Sequence, residues 1–160
     1  MDIESAGMKA LDLARSIIRS ARGYEYLADS RVIFYRKGEP LPRYCDEEGH
    51  PEWNGMYVNG SVYSEEGPLV FISLKHHHAA AIKRQVDAIA ETILHEIGHA
   101  LWELLDVESR RTWSRDPMVM QNDWGAEEAF AETFMFLITG KKKGMISRKL
   151  FRRLSVPKKS

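Results

Sequence analysis

Two histidines and three glutamates lie in the stretch ETILHEIGHALWE, residues 91–103, which otherwise has the pattern of a buried helix. Its apolar residues, with those just outside it, recur at helical spacing: Ile89, Ile93, Leu94, Ile97, Ala100, Leu101, Leu104 and Leu105. An unpaired imidazole or carboxylate buried on such a helix costs on the order of several kcal/mol. These polar side chains therefore need partners that compensate for their burial.

His95 and His99 lie four residues apart, so on a helix their rings share one face. This spacing lets two imidazoles reach one metal ion at about 2.0–2.1 Å. Glu96 points about 100° away and can lie beside the metal without binding it. The three residues form the H-E-x-x-H pattern of zinc peptidases, which predicts that Glu96 takes a proton from water.

Two histidines do not complete a catalytic zinc site, which takes three protein ligands and leaves one position open. Trp102 and Leu105 occupy the positions where an extended motif would place a glycine and a third histidine. The stretch GAEEAFAETF downstream contains Glu128 and Glu132, four apart in a second apolar helix. One of them can bind the metal while the other accepts a hydrogen bond from a ligand histidine.

HEIGH followed by EAFAETF resembles the gluzincins, zinc metallopeptidases with two histidine ligands and one glutamate ligand. It is especially similar to the catalytic domain of anthrax lethal factor and its small relatives, the minigluzincins and proline-proline endopeptidases. The resemblance covers about Gly67 to Gly140. It implies a zincin-like fold, a peptide or protein substrate and one zinc ion per chain. It also implies three zinc ligands (His95, His99 and Glu128), a general base (Glu96) and a supporting carboxylate (Glu132).

The sequence departs from these relatives in two places. The interval from His99 to Glu128 is shorter than theirs. Gln121 also stands where the relatives have a tyrosine that stabilises the oxyanion, about two helical turns before the ligand glutamate. The oxyanion-stabilising residue is therefore not predicted.

Two other glutamates, Glu127 and Glu103, are alternatives to Glu128 as the third ligand. Glu127 could replace Glu128 as the ligand, but it faces about 100° away, and Ala131 stands where its partner would be. We therefore expect Glu127→Ala to leave zinc affinity nearly unchanged. Glu103 could be a ligand only if Glu128 is not, and we otherwise expect it in a supporting or surface role. We expect Glu91 at a solvated edge.

His76, His77 and His78 follow the strand GPLVFISL and precede the metal-binding helix. A solvated turn is the favoured interpretation. In the gluzincins, however, the strand before that helix is typically the edge along which an extended substrate lies. The three histidines could then line its rim or bind adventitious metal. Cys45 is the single cysteine, which excludes an internal disulfide and a multi-cysteine zinc site.

The composition is that of a globular protein: 160 residues, 44% hydrophobic and 29% charged, with a formal net charge of zero. We therefore predict neither a nucleic-acid nor a membrane partner. The last twenty residues are strongly basic, which favours a solvated helix and tail over contact with an anionic surface. With no signal-peptide pattern and no apolar run of membrane-spanning length, the predicted location is cytoplasmic.

The order of elements predicts one α+β domain over residues 1–160, with a small antiparallel or mixed sheet. Asn59-Gly60 predicts a hairpin turn between short strands, and residues 108–123 read as a connection. The predicted segments are an N-terminal helix (1–22), strands (31–75), the metal-binding helix (80–107), the glutamate helix (123–140) and a basic C-terminal helix and tail (144–160).

Together these features predict a zinc-dependent endopeptidase. Two alternatives remain open. One is a non-catalytic, zinc-stabilised interaction domain that has lost the oxyanion donor. The other is a regulatory protease that cleaves a single partner protein.

Overall fold

The computed structural model describes residues 2–36, 39, 54–74, 82–141 and 148–159. These residues form a mixed α+β arrangement, as predicted. The helices are α1 (Ile3–Ser20), α2 (Ile82–Leu104), α3 (Val107–Ser114), α4 (Pro117–Met120), α5 (Ala126–Thr139) and α6 (Arg148–Arg153). The strands are β1 (Arg31–Tyr35), β2 (Gly55–Tyr57) and β3 (Leu69–Ser73). No helix in these ranges is both long and apolar enough to cross a membrane.

The three strands form a mixed sheet in the order β1-β3-β2. β3 pairs in parallel with β1, with Arg31 opposite Leu69, and antiparallel with β2, with Gly55 opposite Ile72. Every residue of β3 is buried, as expected for a central strand that is covered on both faces. The strand before α2 is therefore the centre of the sheet, and β2 is the edge strand nearest that helix.

The prediction of a hairpin at Asn59-Gly60 is wrong. Gly60 does adopt a left-handed φ of 82°, but Ser61–Tyr63 then form a 3-10 turn instead of a strand. Side-chain contacts stabilise that turn, because the Ser61 hydroxyl donates to the Val58 carbonyl and accepts from the Leu69 N–H. β3 consequently begins only at Leu69.

α2 is the central helix and packs against α1, α5, β2 and β3. Its apolar positions are almost fully buried: Ile89, Ile93, Leu94, Ile97, Ala100 and Leu101. α1 presents small residues such as Ala6, Ala10 and Ala14 to the core, which lets it pack closely. The apolar pattern read from the sequence therefore marks the interior of the domain.

The glutamate helix ends at Gly140, as predicted, with a left-handed φ of 73°. It begins later than predicted, however, because Gly125, with a φ of 94°, is the N-cap residue in place of Asp123. Residues 108–123 are mostly helical rather than a simple connection. Asp106 and Asp116 cap α3 and α4 through their side chains, and the buried Trp113 anchors α3 to the core.

Candidate metal centre

The H-E-x-x-H residues lie in the middle of α2, on the side that faces α5 and β2. The side chains of His95 and His99 retain only 16% and 8% of their exposure. Both imidazoles are thus withdrawn from water, and the partners expected from the sequence are present around them.

Gly98 allows α5 to approach α2 closely. A Cβ atom at this position would lie 2.8 Å from Cα and 3.0 Å from the carbonyl oxygen of Ala131. Contacts that short with backbone cannot be relieved by a side-chain rotation. The glycine of HEIGH therefore sets the helix spacing that brings Glu128 to the two histidines.

Three potential ligand groups converge at this contact. Nε2 of His95 lies 3.3 Å from Nε2 of His99 and 2.9 Å from Oε2 of Glu128. Nε2 of His99 lies 3.0 Å from Oε1 of the same carboxylate. Ligand atoms of the three residues all lie within 4.8 Å of one another, so the group could hold a metal ion. No other such group occurs in the part of the chain that the structure describes.

The separation of the two nitrogens is suited to one small ion. Tetrahedral ligands at about 2.0–2.1 Å from a metal are about 3.3 Å apart, and the two Nε2 atoms are separated by 3.3 Å. Two imidazole nitrogens and a carboxylate also form a typical donor set for a metal with one open position. The residues present therefore fit a bound divalent ion.

A second carboxylate holds each imidazole from its other side. Nδ1 of His95 lies 2.9 Å from Oε2 of Glu132, the residue predicted to support a ligand. Nδ1 of His99 lies 2.7 Å from Oε2 of Glu127. Such contacts fix the tautomer of a metal-binding histidine, because Nδ1 carries the proton and Nε2 is left as the ligand atom.

The contact of Glu127 corrects the sequence analysis, which placed this residue outside the site. On α5 itself, Glu127 shares a face with Ala131, one turn further along, which offers no partner to a ligand. The relevant partner lies on another helix, because the flank of α5 that carries Glu127 faces His99. The sequence offers only a weak signal for this contact, an additional acid next to the predicted ligand Glu128.

The carboxylates also control the charge of the imidazoles in the metal-free site. Burial lowers the pKa of His95, but its bonds to Glu128 and Glu132 raise it to about 9. Burial likewise opposes protonation of His99, whereas bonds to Glu127 and Glu128 raise its pKa to about 10. Burial raises the pKa of Glu128, but the two imidazoles outweigh this effect and hold it well below its ordinary range.

Glu96 belongs to α2, and its side chain is buried against β2. Burial raises the pKa of its carboxyl group, while the two nearby histidines and the backbone N–H of Tyr57 act in the opposite direction. Gly55 makes this packing possible, because a Cβ atom there would lie 2.9 Å from Cγ of Glu96. Neither Gly55 nor the Tyr57 backbone was identified from the sequence, since their role depends on how β2 meets the helix.

Two cavities flank the cluster. The larger, about 550 Å³, has Asn54, Thr92 and Met135 among its lining residues. The smaller, about 200 Å³, reaches Tyr57 and Asn59. Gly55, Glu96 and Glu128 line both cavities. The cluster is therefore reached from both sides along β2.

The remaining candidates lie elsewhere or have other partners. Glu91 lines the larger cavity and forms an ion pair with Lys141, so it is not simply solvated. Glu103 accepts a hydrogen bond of 2.6 Å from the Gly60 N–H, away from the histidines. Gln121 lies at the exposed end of α4 and lines neither cavity. Cys45 and the histidines at 76–78 lie outside the described residues.

No protein-family model matches the chain, and comparisons with curated proteins and with solved structures found no match either. The interpretation of the cluster therefore depends on its own geometry.

Proposed function

We propose that the protein is a zinc-dependent endopeptidase of gluzincin type with a zincin-like fold. One observation carries the proposal. The Nε2 atoms of His95 and His99 and the carboxylate of Glu128 converge on one point, and Glu96 lies buried beside it. This point opens into the cavities along β2, where an extended peptide has room to lie.

His95, His99 and Glu128 would hold the metal. Zinc is the ion that this donor set favours, with two imidazoles, one carboxylate and a position left open. When bound in such a site, zinc polarises a carbonyl group and lowers the pKa of water to about 7. Glu127 and Glu132 would keep the imidazoles oriented through the contacts to Nδ1.

Glu96 would accept the proton of the attacking water and transfer it to the leaving amine. General acid–base catalysis is most efficient when the pKa of the group lies close to the working pH. Burial raises the pKa of Glu96 toward that range and makes its carboxylate a stronger base for the attacking water. The substrate in this proposal is a peptide or a protein.

The position of Gln121 favours one alternative, a non-catalytic zinc-stabilised interaction domain. The gluzincins described above use a tyrosine from this part of the chain for the oxyanion, whereas Gln121 lines neither cavity. A regulatory protease acting on one partner would share the peptidase site and differ only in substrate range.

Metal analysis combined with peptide cleavage distinguishes these functions. We expect one zinc ion per chain and cleavage in a peptide library, with Glu96→Gln retaining zinc and losing cleavage. Glu108→Gln, at an exposed ion pair on α3, is a matched control and should behave like wild type. Zinc binding without any cleavage would favour the interaction domain, and a chain that binds no zinc would exclude both functions.

A further inference from the structure

A further cavity, of about 560 Å³, lies away from the histidine cluster. Residues that follow α1, others at the end of α5 and in α6, and residues of the C-terminal tail line it. None of them lines the cavities at the histidines. Its volume is within the range of about 300–1,000 Å³ that is typical of small-molecule sites. We call it the basic cavity.

The floor of the basic cavity is apolar and firmly packed. Phe151 and Leu154 are buried, whereas Leu137, Ile138 and Val156 are partly exposed. The Phe151 ring stacks on Phe130 with the centroids 4.9 Å apart, which anchors α6 to the core. An apolar group entering the cavity would therefore meet a preformed surface.

The rim is cationic. Arg22, Arg152 and Lys158 line the cavity, and its lining includes no carboxylate. Among the described residues, neither arginine forms an ion pair. The formal net charge of the chain is zero, so this excess of positive charge is local. Like charges around one cavity repel one another, and a bound anion would relieve that repulsion.

The tail that carries Lys158 is fixed in place. The Lys159 N–H donates to the Gly23 carbonyl over 2.8 Å, and the Tyr26 hydroxyl donates to the Pro157 carbonyl over 2.9 Å. Nζ of Lys158 lies 5.4 Å from the centre of the Tyr24 ring, within the range of a cation–π contact. The position of this charge is therefore set before any ligand arrives.

We propose that the basic cavity binds an amphipathic anion, a small molecule with an apolar chain and a carboxylate or phosphate group. The chain would lie on the floor around Phe151 and Leu154, and the anionic group would meet the cations of the rim. The concave shape suits a single molecule better than a flat lipid surface. This site is independent of the proposed peptidase function.

Calorimetric titration of the full chain tests the proposal. The probes are decanoate and decyl phosphate below their micelle concentrations, with decanol and acetate as controls. We expect saturable binding of one decanoate or one decyl phosphate per chain, and the comparison identifies the preferred anionic group. Decanol lacks the charge and acetate lacks the chain, so each should bind at least about tenfold more weakly.

Matched variants locate the binding. Arg152→Gln and Lys158→Gln should each weaken it by about fivefold, since rim charges are partly screened by solvent. Arg153→Gln and Lys159→Gln remove the same charge from neighbouring residues that do not line the cavity, and should stay within about twofold of wild type. Thermal unfolding checks that all four variants are folded.

Three results would overturn the proposal. They are the absence of saturable binding by both anions, equal binding of decanol, and equal losses in the lining and neighbouring variants. If neither soluble anion binds but phosphatidylglycerol vesicles do, the first of these results points to contact with an anionic surface instead. The wild-type titration is decisive even if a variant is unstable.

Discussion

Nδ1 of His99 lies 2.7 Å from Oε2 of Glu127, so the residue next to the proposed ligand Glu128 contacts the second histidine. Nδ1 of His95 has the equivalent contact with Glu132, at 2.9 Å. Each imidazole is therefore held by its own carboxylate, and both carboxylates come from α5. This paired arrangement makes α5 responsible for orienting both histidines as well as for carrying Glu128, the proposed third ligand.

Glu127→Ala and Glu132→Ala should each weaken zinc affinity by about 10–100-fold, because each change releases one imidazole from its orienting carboxylate. Competition with a chromophoric chelator measures the affinity. Glu108→Ala removes an exposed carboxylate far from the histidines and is the control. Wild-type affinity in Glu127→Ala would show that the contact with His99 does not support metal binding.

Glu128→Ala should weaken zinc affinity more than either of these changes, because the site falls from three protein ligands to two. The same competition assay ranks all three variants, so they serve as internal references. If Glu127 or Glu103 proved indispensable while Glu128 did not, the assignment of the third ligand would be wrong.

The sequence predicted the helices that form the site but only part of the contacts between them. The spacing of His95 and His99 reflects a local helical period, and Glu128 and Glu132 were found by the same rule. The contact of Glu127 depends on the rotation of α5 against α2, which no local pattern encodes. Similarly, the close approach of β2 to Glu96 depends on how the sheet meets α2 in the folded chain, where a Cβ at Gly55 would lie 2.9 Å from Cγ of Glu96.

The prediction of a hairpin at Asn59-Gly60 was wrong for a related reason, because contacts between distant elements decide the structure there. Asn59-Gly60 does form a turn. Contacts with residues distant in the sequence, however, hold the following segment, Ser61–Tyr63, in a 3-10 turn. Tyr63 donates to the Glu103 carbonyl over 2.7 Å, and the Gly60 N–H bonds to the Glu103 carboxylate. Tertiary contacts with the end of α2 thus override the local preference for a strand.

Glu96→Gln should keep zinc bound and reduce peptidase activity by about 10²–10⁴-fold or more, since glutamine cannot accept a proton. It retains the size of glutamate, and the Tyr57 N–H can still donate to its carbonyl oxygen. Initial cleavage rates at equal zinc occupancy measure the effect. A variant with full activity would remove Glu96 from the proposed role.

Zinc binding at pH 7 should release at least one proton per chain. The ordinary histidine pKa is 6.5, and the carboxylates raise those of His95 and His99 to about 9 and about 10 in the metal-free fold. The imidazoles are therefore protonated at pH 7 and must lose protons to bind a metal. Calorimetry in buffers of different ionisation enthalpy measures the release, and identical heats in all buffers would contradict it.

The same shifts predict how the stability of the metal-free protein varies with pH. Because both pKa values are raised on folding, the stabilisation is complete below about pH 6.5 and is lost as the pH rises through about 9 and 10. Denaturant unfolding of the chelator-treated protein across this window should show a falling free energy of unfolding. The double variant Glu127→Gln and Glu132→Gln should flatten the slope.

Gly98→Ala should destabilise the metal-free protein by about 1–2 kcal/mol and also weaken zinc binding. The new Cβ would meet Cα of Ala131 at 2.8 Å, so α5 must move away and carry its three glutamates with it. Alanine is favoured over glycine within a helix by about 1 kcal/mol, so a loss of stability can arise only from the helix contact. Gly7→Ala in α1 is the control, because its new Cβ would meet side-chain atoms of Leu74 and Phe34 at 3.3–3.4 Å and no backbone atom of another element that close. Denaturant unfolding and chelator competition measure both effects, and wild-type zinc affinity in Gly98→Ala would show that Glu128 reaches the histidines without this close approach.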